Sequence, residues 1–524
     1  MRHEFIRRLL LAAVFASANV MLLAQRNTQL TGRVTDPSNS VIPGADVSVV
    51  HEDTGIRRET NTNELGYFIV PLLQPGRYRI RVQKEGFRPL SRSGITLEVD
   101  QAARVDLVME VGSVTETVEV AANVAVVDTQ SSTLKEVVDE RRIRELPLNG
   151  RDATQLILLL PGVYATSDTS GLRQGGSGRG IVQPGFASNG ARSNMVNYAL
   201  DGTTHNDTYT NVALAFPNPD ALQEFSVQTN NFSAESGRSA GAIVNAVTRS
   251  GTNSFHGSLF EFHRNEALNA RNFFARTSDG LKRHQFGGTL GGPIWRDRTF
   301  FFASHQETRQ RSRPSDNSTT VLTEAQRRGD FSARSAAIID PLNRQPFPRN
   351  QIPTSRMNIV TRNVLDQLIP LPTEPATGLY FYSVPNSSDL RQTILKIDHQ
   401  FSSKDTISGR YLYNYYQEPA NDVPLVFATR SARATPNHNL ALTHTRVFSP
   451  TLLNQAQFSL TRRKDTGQPV WTTSFADLGM RNVFTDEPNP NFGLRVTGAF
   501  SATVTEKITT EPNAFTIADT LRWT

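Results

Sequence analysis

The sequence predicts a mostly β chain built in three successive styles, and three observations carry that reading. From 29 to 110, short alternating strands are separated by complete turn clusters. From 123 to 250, small-residue strands are mixed with one short helix. From 254 onward the strands lengthen, alternate in polarity along their length and are parted by long polar loops. Period-two alternation marks a half-buried strand, and Asn, Asp, Gly and Pro clusters mark where it stops.

At 524 residues the chain exceeds one ordinary domain and can bury a sizeable core. Hydrophobic residues make up 38% of it and mean hydropathy is −0.38. Beyond residue 25 no apolar run approaches the ~20 residues of a spanning helix, which excludes a helical inner-membrane protein. The net charge of +6 comes from scattered arginines, with no basic block interleaved with aromatics, so nucleic acid is not an expected partner. Cysteine is absent, which removes disulfides, thiolate metal sites and cysteine nucleophiles together.

Residues 1–24 read as a signal peptide. Arg2, Arg7 and Arg8 form a basic start, Leu9 to Leu23 is apolar, and cleavage is open between Ala18 and Ala24.

The segment 29–110 reads as a β-sandwich. Leu30 to Thr35 ends at Asp36-Pro37-Ser38-Asn39, and Ala45 to Val50 ends at Asp53-Thr54-Gly55. Tyr67 to Val70 follows Gly66, and Tyr78 to Val82 follows Pro75-Gly76. Gly32-Arg33-Val34-Thr35-Asp36-Pro37, Pro43-Gly44-Ala45, Gly66-Tyr67-Phe68 and Gly86-Phe87 make it similar to the carboxypeptidase-regulatory-like domain. That resemblance implies a folded, non-catalytic periplasmic module.

Ala240 to Thr248 is a small-residue strand with Ile243, Val244 and Val247 at its centre. It turns through Ser250-Gly251-Thr252-Asn253 into Ser254–His263, where Phe260 and Phe262 share one face and Leu259 and Glu261 the other. This stretch resembles the plug-to-barrel junction of TonB-dependent outer-membrane receptors, especially the Oar-like group. The resemblance makes 123–250 an α+β plug. Within it, Ala153 to Leu160 is a short buried helix stopped by Pro161-Gly162. Asn189 to Gly202 gives strand, turn, strand. Ala221 to Phe225 is expected as a helical turn before a strand that ends at Asn230. Gly175 to Gly180 is a flexible loop without the lysine of a phosphate loop.

The same resemblance makes 254–524 the first strands of a transmembrane antiparallel barrel. Candidate strands are Ser254–His263, His284–Pro293, Thr299–Arg309, Gln392–Phe401, Thr406–Gln417, Asn437–Val447 and Leu453–Arg462, and Gln310 to Ile369 is an extracellular loop. Phe300, Phe301, Phe302, Tyr411, Tyr413, Tyr415 and Tyr416 are candidates for interfacial girdles. Seven or eight strands fall short of a family barrel of about 22. Open edges in lipid cost several kcal/mol per unpaired amide, so the sequence is expected to be an N-terminal fragment with an incomplete barrel.

Between the modules, 111–122 is a linker. Its Glu116, Thr117, Val118, Glu119 and Val120 resemble a TonB box, a short extended segment that adds as a strand to the edge of the energising protein. The alternative is a further strand of the plug or sandwich.

No catalytic residues, metal ligands or cofactor-binding residues are expected. His263 and Glu266 have the spacing of a zinc carboxypeptidase pair, but no third ligand stands in a recognisable motif. Asp201-Gly202-Thr203-Thr204-His205-Asn206-Asp207 gathers oxygen donors without the spacing or bidentate Glu of a calcium loop, and reads as a plug turn. The resemblance implies no enzyme but an outer-membrane receptor. Its partners would be TonB at the periplasmic face, outer-membrane lipid, and an extracellular ligand such as an oligosaccharide, siderophore, peptide or protein. A secreted β-rich adhesin is the second reading, and a carboxypeptidase relative the third.

Overall fold

The computed structural model describes residues 28–523 except 113–117, 122–132, 167–185, 209–210, 212, 233–238, 272, 274–277, 314–316, 384–386, 420–430, 470–473, 482–491, 498–499 and 505–507. The signal peptide, the Gly175–Gly180 loop, Glu116 and Thr117 lie outside them.

The first domain is two stacked sheets. One pairs β4 (Tyr67–Leu73), β1 (Thr28–Thr35) and β7 (Ala102–Arg104), with β8 (Leu107–Val108) also on β1. The other runs β3 (Arg57–Asn61), β2 (Asp46–His51), β5 (Gly76–Gln83), β6 (Leu90–Leu97) and β9 (Val118–Ala121). Alternate residues turn inward, as the pleat requires. Leu30, Val34, Val47, Val49, Phe68, Ile80, Val82, Leu97 and Met109 build a core drawn wholly from this domain.

The central domain carries a sheet ordered β10 (Leu134–Val138), β15 (Leu222–Asn230), β16 (Ile243–Thr248), β13 (Asn197–Leu200) and β14 (Thr203–Thr204), with a small hairpin of β11 (Val163–Ala165) and β12 (Phe186–Ser188). The β13–β16 pair is parallel. Ala153–Leu159 is a 3-10 helix whose N-cap Asp152 accepts from the Thr154 amide, and it buries Leu156 and Ile157. The expected helical turn at Ala221 to Phe225 is corrected. Pro219 presets one turn of 3-10 helix that ends at Ala221, and Leu222 already pairs with Thr248 in the sheet.

The third region is a wall. β17 (His256–Asn265), β18 (Lys282–Trp295) and β19 (Thr299–Arg311) lead into a loop hairpin of β20 (Asn317–Thr320) and β21 (Leu379–Tyr382). The wall resumes with β22 (Ser388–Ser402), β23 (Asp405–Glu418), β24 (Ser431–Ser449) and β25 (Leu452–Arg463). Short strands β26 (Asp465–Pro469), β27 (Phe492–Arg495), β28 (Ser501–Val504) and β29 (Ile508–Thr510) precede β30 (Asn513–Trp523), which closes onto β25. Every wall pairing is antiparallel, and the path ends at β17 on one side and β30 on the other. Strand β30 was not among the candidate strands.

The polarity of the wall is inverted relative to a soluble sheet. Leu259, Leu290, Leu395, Ile397, Phe515 and Ile517 are exposed on its outer face, while Gln306, Gln392, Lys396, Arg410, Asn414 and Asn439 are buried on the inner one. No helix among the described residues is long and apolar enough to cross a membrane; the strands supply the apolar surface. Alternation also divides the candidate girdle residues. Tyr411, Tyr413 and Tyr415 take the outer register, whereas Phe300, Phe302 and Tyr416 are buried on the inner face.

Turns at one rim are short, as at Arg296–Arg298, Ser403–Lys404 and Pro450–Thr451; the other rim carries the long loops. That asymmetry identifies the short-turn rim as periplasmic. The long loops are not loose. Val321, Val364, Leu365 and Ile369 from the β19–β22 connection share one core with Leu478 and Phe500 from the β25–β30 connection. Asn363 Nδ2 donates to the Leu478 carbonyl at 3.1 Å across the two.

Candidate functional site

The concave face of the wall is filled by the central domain, and the contact is largely polar. Asp201 sits at the β13–β14 turn with φ +46, a left-handed conformation that Asp tolerates. Its carboxylate accepts from the Thr248 amide at 2.8 Å and Thr248 Oγ1 at 2.8 Å. It also faces Lys396 Nζ at 3.4 Å and an Arg410 guanidinium nitrogen at 3.2 Å, from neighbouring wall strands. Burial alone would raise the Asp201 pKa, but Lys396, Arg410 and the Thr248 hydrogen bonds together lower it.

Two further acids are paired, one to the wall and one within the central domain. Asp207 meets Arg463 of β25, which also holds Asp465. Asp220 meets Arg151, whose guanidinium lies 4.3 Å from the Phe260 ring centre and 4.2 Å from that of Phe262. The two aromatics noted in β17 therefore face inward and cover a cation rather than lipid. Asn218 adds neutral bonds to the wall: its amide to Gln392 Oε1 at 2.6 Å and Nδ2 to Ser304 Oγ at 3.0 Å. His205 is fully buried, and its Nε2 donates to the Ala215 carbonyl at 3.0 Å. Burial, then the Arg410 charge, lowers its pKa to about 3, so it is neutral.

The junction into the wall is sterically tight. A Cβ on Gly251 would fall 2.6 Å from the Gly292 carbonyl oxygen and closer still to that of Phe301, so only glycine fits the turn.

The sandwich is fastened to both other parts. Asp100, at φ +58 in the β6–β7 turn, accepts from Ser226 Oγ at 2.6 Å, Asn245 Nδ2 at 2.9 Å and Gln228 Nε2 at 3.2 Å. Glu224 accepts from the Val99 amide, and its burial pushes its pKa up to about 8. Arg58 donates to the Ser403 carbonyl at 3.2 Å and Thr406 Oγ1 at 2.9 Å, on a periplasmic turn of the wall.

The residues singled out in the sequence are not one cluster. Val118, Glu119 and Val120 form β9, which has a partner the sequence did not reveal: it runs parallel to β6, Leu90 opposite Val118 and Ser91 opposite Glu119. His263 packs on His284, ring centres 4.2 Å apart, and Glu266 accepts from Ser278 Oγ at 2.7 Å. No three metal-ligating side chains are grouped among the described residues. The Asp201–Asp207 stretch is the plug turn expected, yet its acids are latched to the wall. Sequence reasoning missed that latch because Lys396, Arg410 and Arg463 lie far downstream.

Together these features define the incomplete wall of a plugged transmembrane β-barrel with an appended β-sandwich. The family described as Outer membrane beta barrel domain matches residues 247–524, and the Carboxypeptidase regulatory-like domain matches 29–110. The TonB-dependent transporter Oar of Myxococcus xanthus is 30% identical over 334 residues, covering 60% of this chain and 30% of that protein. This chain belongs to the outer-membrane β-barrel family and is similar to the Oar-like group of TonB-dependent receptors. Its place is therefore the outer membrane. The matched part spans under a third of the curated relative's length. Among solved structures, the outer-membrane transporter YddB of Escherichia coli aligns with 74% of this chain and 45% of its own, at TM-score 0.46 and 10% identity. The siderophore receptor PirA of Acinetobacter baumannii aligns over the same shares, at TM-score 0.40 and 12% identity.

Proposed function

We propose that this receptor captures an extracellular ligand on its long-loop face and takes it up when TonB pulls on residues 116–120 and displaces the plug. The observation that carries this reading is how the plug is held. It is seated by ion pairs and hydrogen bonds to a polar wall, including Asp201 with Lys396 and Arg410 and Asn218 with Gln392 and Ser304. Directional polar contacts are lost over short displacements and can be replaced by water as the plug shifts; the wall's apolar contribution to the plug core is Phe302, Ile394 and Leu412. The energy would come from the inner-membrane proton gradient, delivered through the segment just ahead of the plug. The curated relative is a transporter, and no catalytic step is assigned to this chain.

Val118→Pro tests the coupling. Proline removes one amide donor and fixes φ near about −65°, and a terminal strand tolerates it without loss of a domain core. Abundance and ligand binding should stay normal while energised uptake falls to the level of cells lacking TonB. Normal uptake in the variant would overturn the reading.

A further inference from the structure

We infer that the β-sandwich is a lid over the ion pair that seats the plug: it bridges plug and wall at the periplasmic rim, and its release from the wall lets water reach Asp201 and Lys396. This deepens the reading of a displaceable plug and rests on it.

A cavity of about 170 Å³ lies where the three parts meet. Arg58, Tyr78 and Asp100 of the sandwich line one side of it. Asn245 and Asp201 of the plug and Lys396 of the wall line the others. The space therefore runs from the sandwich to the seating pair itself. Its lining is largely polar, and a polar space of this size admits water. A buried ion pair keeps most of its attraction, whereas one opened to water and salt keeps little. A cover on the periplasmic side of that cavity thus holds the plug without touching its charges.

The two seams of the sandwich are unequal. Against the plug, Asp100 accepts from Ser226, Asn245 and Gln228, and Lys135 Nζ donates to its carbonyl at 3.1 Å. Gln223 Nε2 adds a bond to the Pro75 carbonyl at 3.0 Å. Against the wall, Arg58 donates to the Ser403 carbonyl and Thr406 Oγ1, and Gln400 Nε2 donates to the Arg57 carbonyl at 3.2 Å. Arg58 is 8% exposed, and both these acceptors are neutral oxygens. A buried cation on neutral oxygens recovers less of its lost hydration than one on a carboxylate. A further contact, the Asn253 amide on the Asp53 carbonyl at 3.0 Å, stands beside the plug–wall junction. The wall seam is therefore the one that parts first, and the sandwich then travels with the plug.

Two backbone amides carry the test. The Thr248 amide donates to Asp201 and the Asn253 amide to the sandwich, so hydrogen exchange at the first reports the seating pair and at the second the lid. Thr406→Lys sets a second cation against Arg58 and leaves the sandwich sequence intact. In the full receptor, purified without TonB, it should speed exchange at both amides by about tenfold, while Val244 in the plug sheet stays protected. The lid can also be tied down. Native cysteine is absent, and a Cβ on Gly55 would lie 3.3 Å from the Asp297 carboxyl carbon in a wall turn. Gly55→Cys with Asp297→Cys, added to Thr406→Lys and oxidised, should return both amides to within about twofold of wild type, and reduction should undo this. Exchange that rises at Asn253 but not at Thr248 would overturn the inference, as would a disulfide that fails to form or to restore Thr248. Unchanged exchange at Asn253 in Thr406→Lys would overturn the assignment of the weak seam. Normal uptake in Val118→Pro, by contrast, sinks the coupling reading alone.

Discussion

Asp201 of the plug and Arg410 of the wall form an ion pair at 3.2 Å in which Arg410 is 2% exposed, and Lys396 completes a buried triad from the adjacent strand. One acid thus offsets two wall cations in a site without free water access. Removing a single partner from a buried pair is more damaging than never having built it, because the remaining charges stay desolvated.

Asp201→Asn should accordingly destabilise the plug by about 3–5 kcal/mol. The side chain keeps its size, and the Thr248 amide keeps an oxygen to donate to, so the charge is the main loss. Limited proteolysis of the plug and thermal unfolding of the purified receptor measure it. A variant as resistant as the wild type would mean that the triad does not seat the plug.

Docking of the sandwich should weaken as pH rises. Glu224 has a folded pKa of about 8 against a reference of 4.5, because burial penalises its charged form. With the folded value raised, the folded state holds the proton more tightly. Its contribution is complete below the reference value, declines as pH climbs and is gone above about 8. Asp100, also raised by burial, acts in the same direction. Glu224→Gln keeps a carbonyl for the Val99 amide and should flatten part of the slope. Hydrogen exchange at Val99 across pH 5 to pH 9 is the readout.

Gly251→Ala should lower receptor abundance in the outer membrane several-fold. The added methyl has no flexible neighbour to move; it meets the Gly292 and Phe301 carbonyls of the wall. Backbone displacement at the plug–wall junction is the only relief, and overpacking of that kind typically costs about 1–3 kcal/mol. Quantitative blotting of membrane fractions checks it.

Strand content was legible because alternation is a local signal. The first seven wall strands were located to within a few residues, and the structure lengthens most of them. Facing was less legible. Phe300 and Phe302 look like girdle residues, but register with β18 and β22 turns both inward, and Phe302 joins the plug core with Ile394 and Leu412. The helical turn placed at Ala221 failed because sheet pairing overrode a Pro-led helix start. The β6–β9 pair could not be read, since a parallel pairing between strands separated by β7 and β8 has no turn signature of its own. The site was least legible of all: Asp201 and Arg410 are brought together only by the seating of one domain in another.

The shared core of the two external connections has a consequence for variation. Leu478 and Phe500 close a space that Val321, Val364 and Leu365 open, so neither connection has a complete interior alone. Grafting the β19–β22 connection from a relative without its counterpart would leave apolar side chains facing solvent on one side and a void on the other. The unit that can be exchanged between receptors without opening that core is the pair.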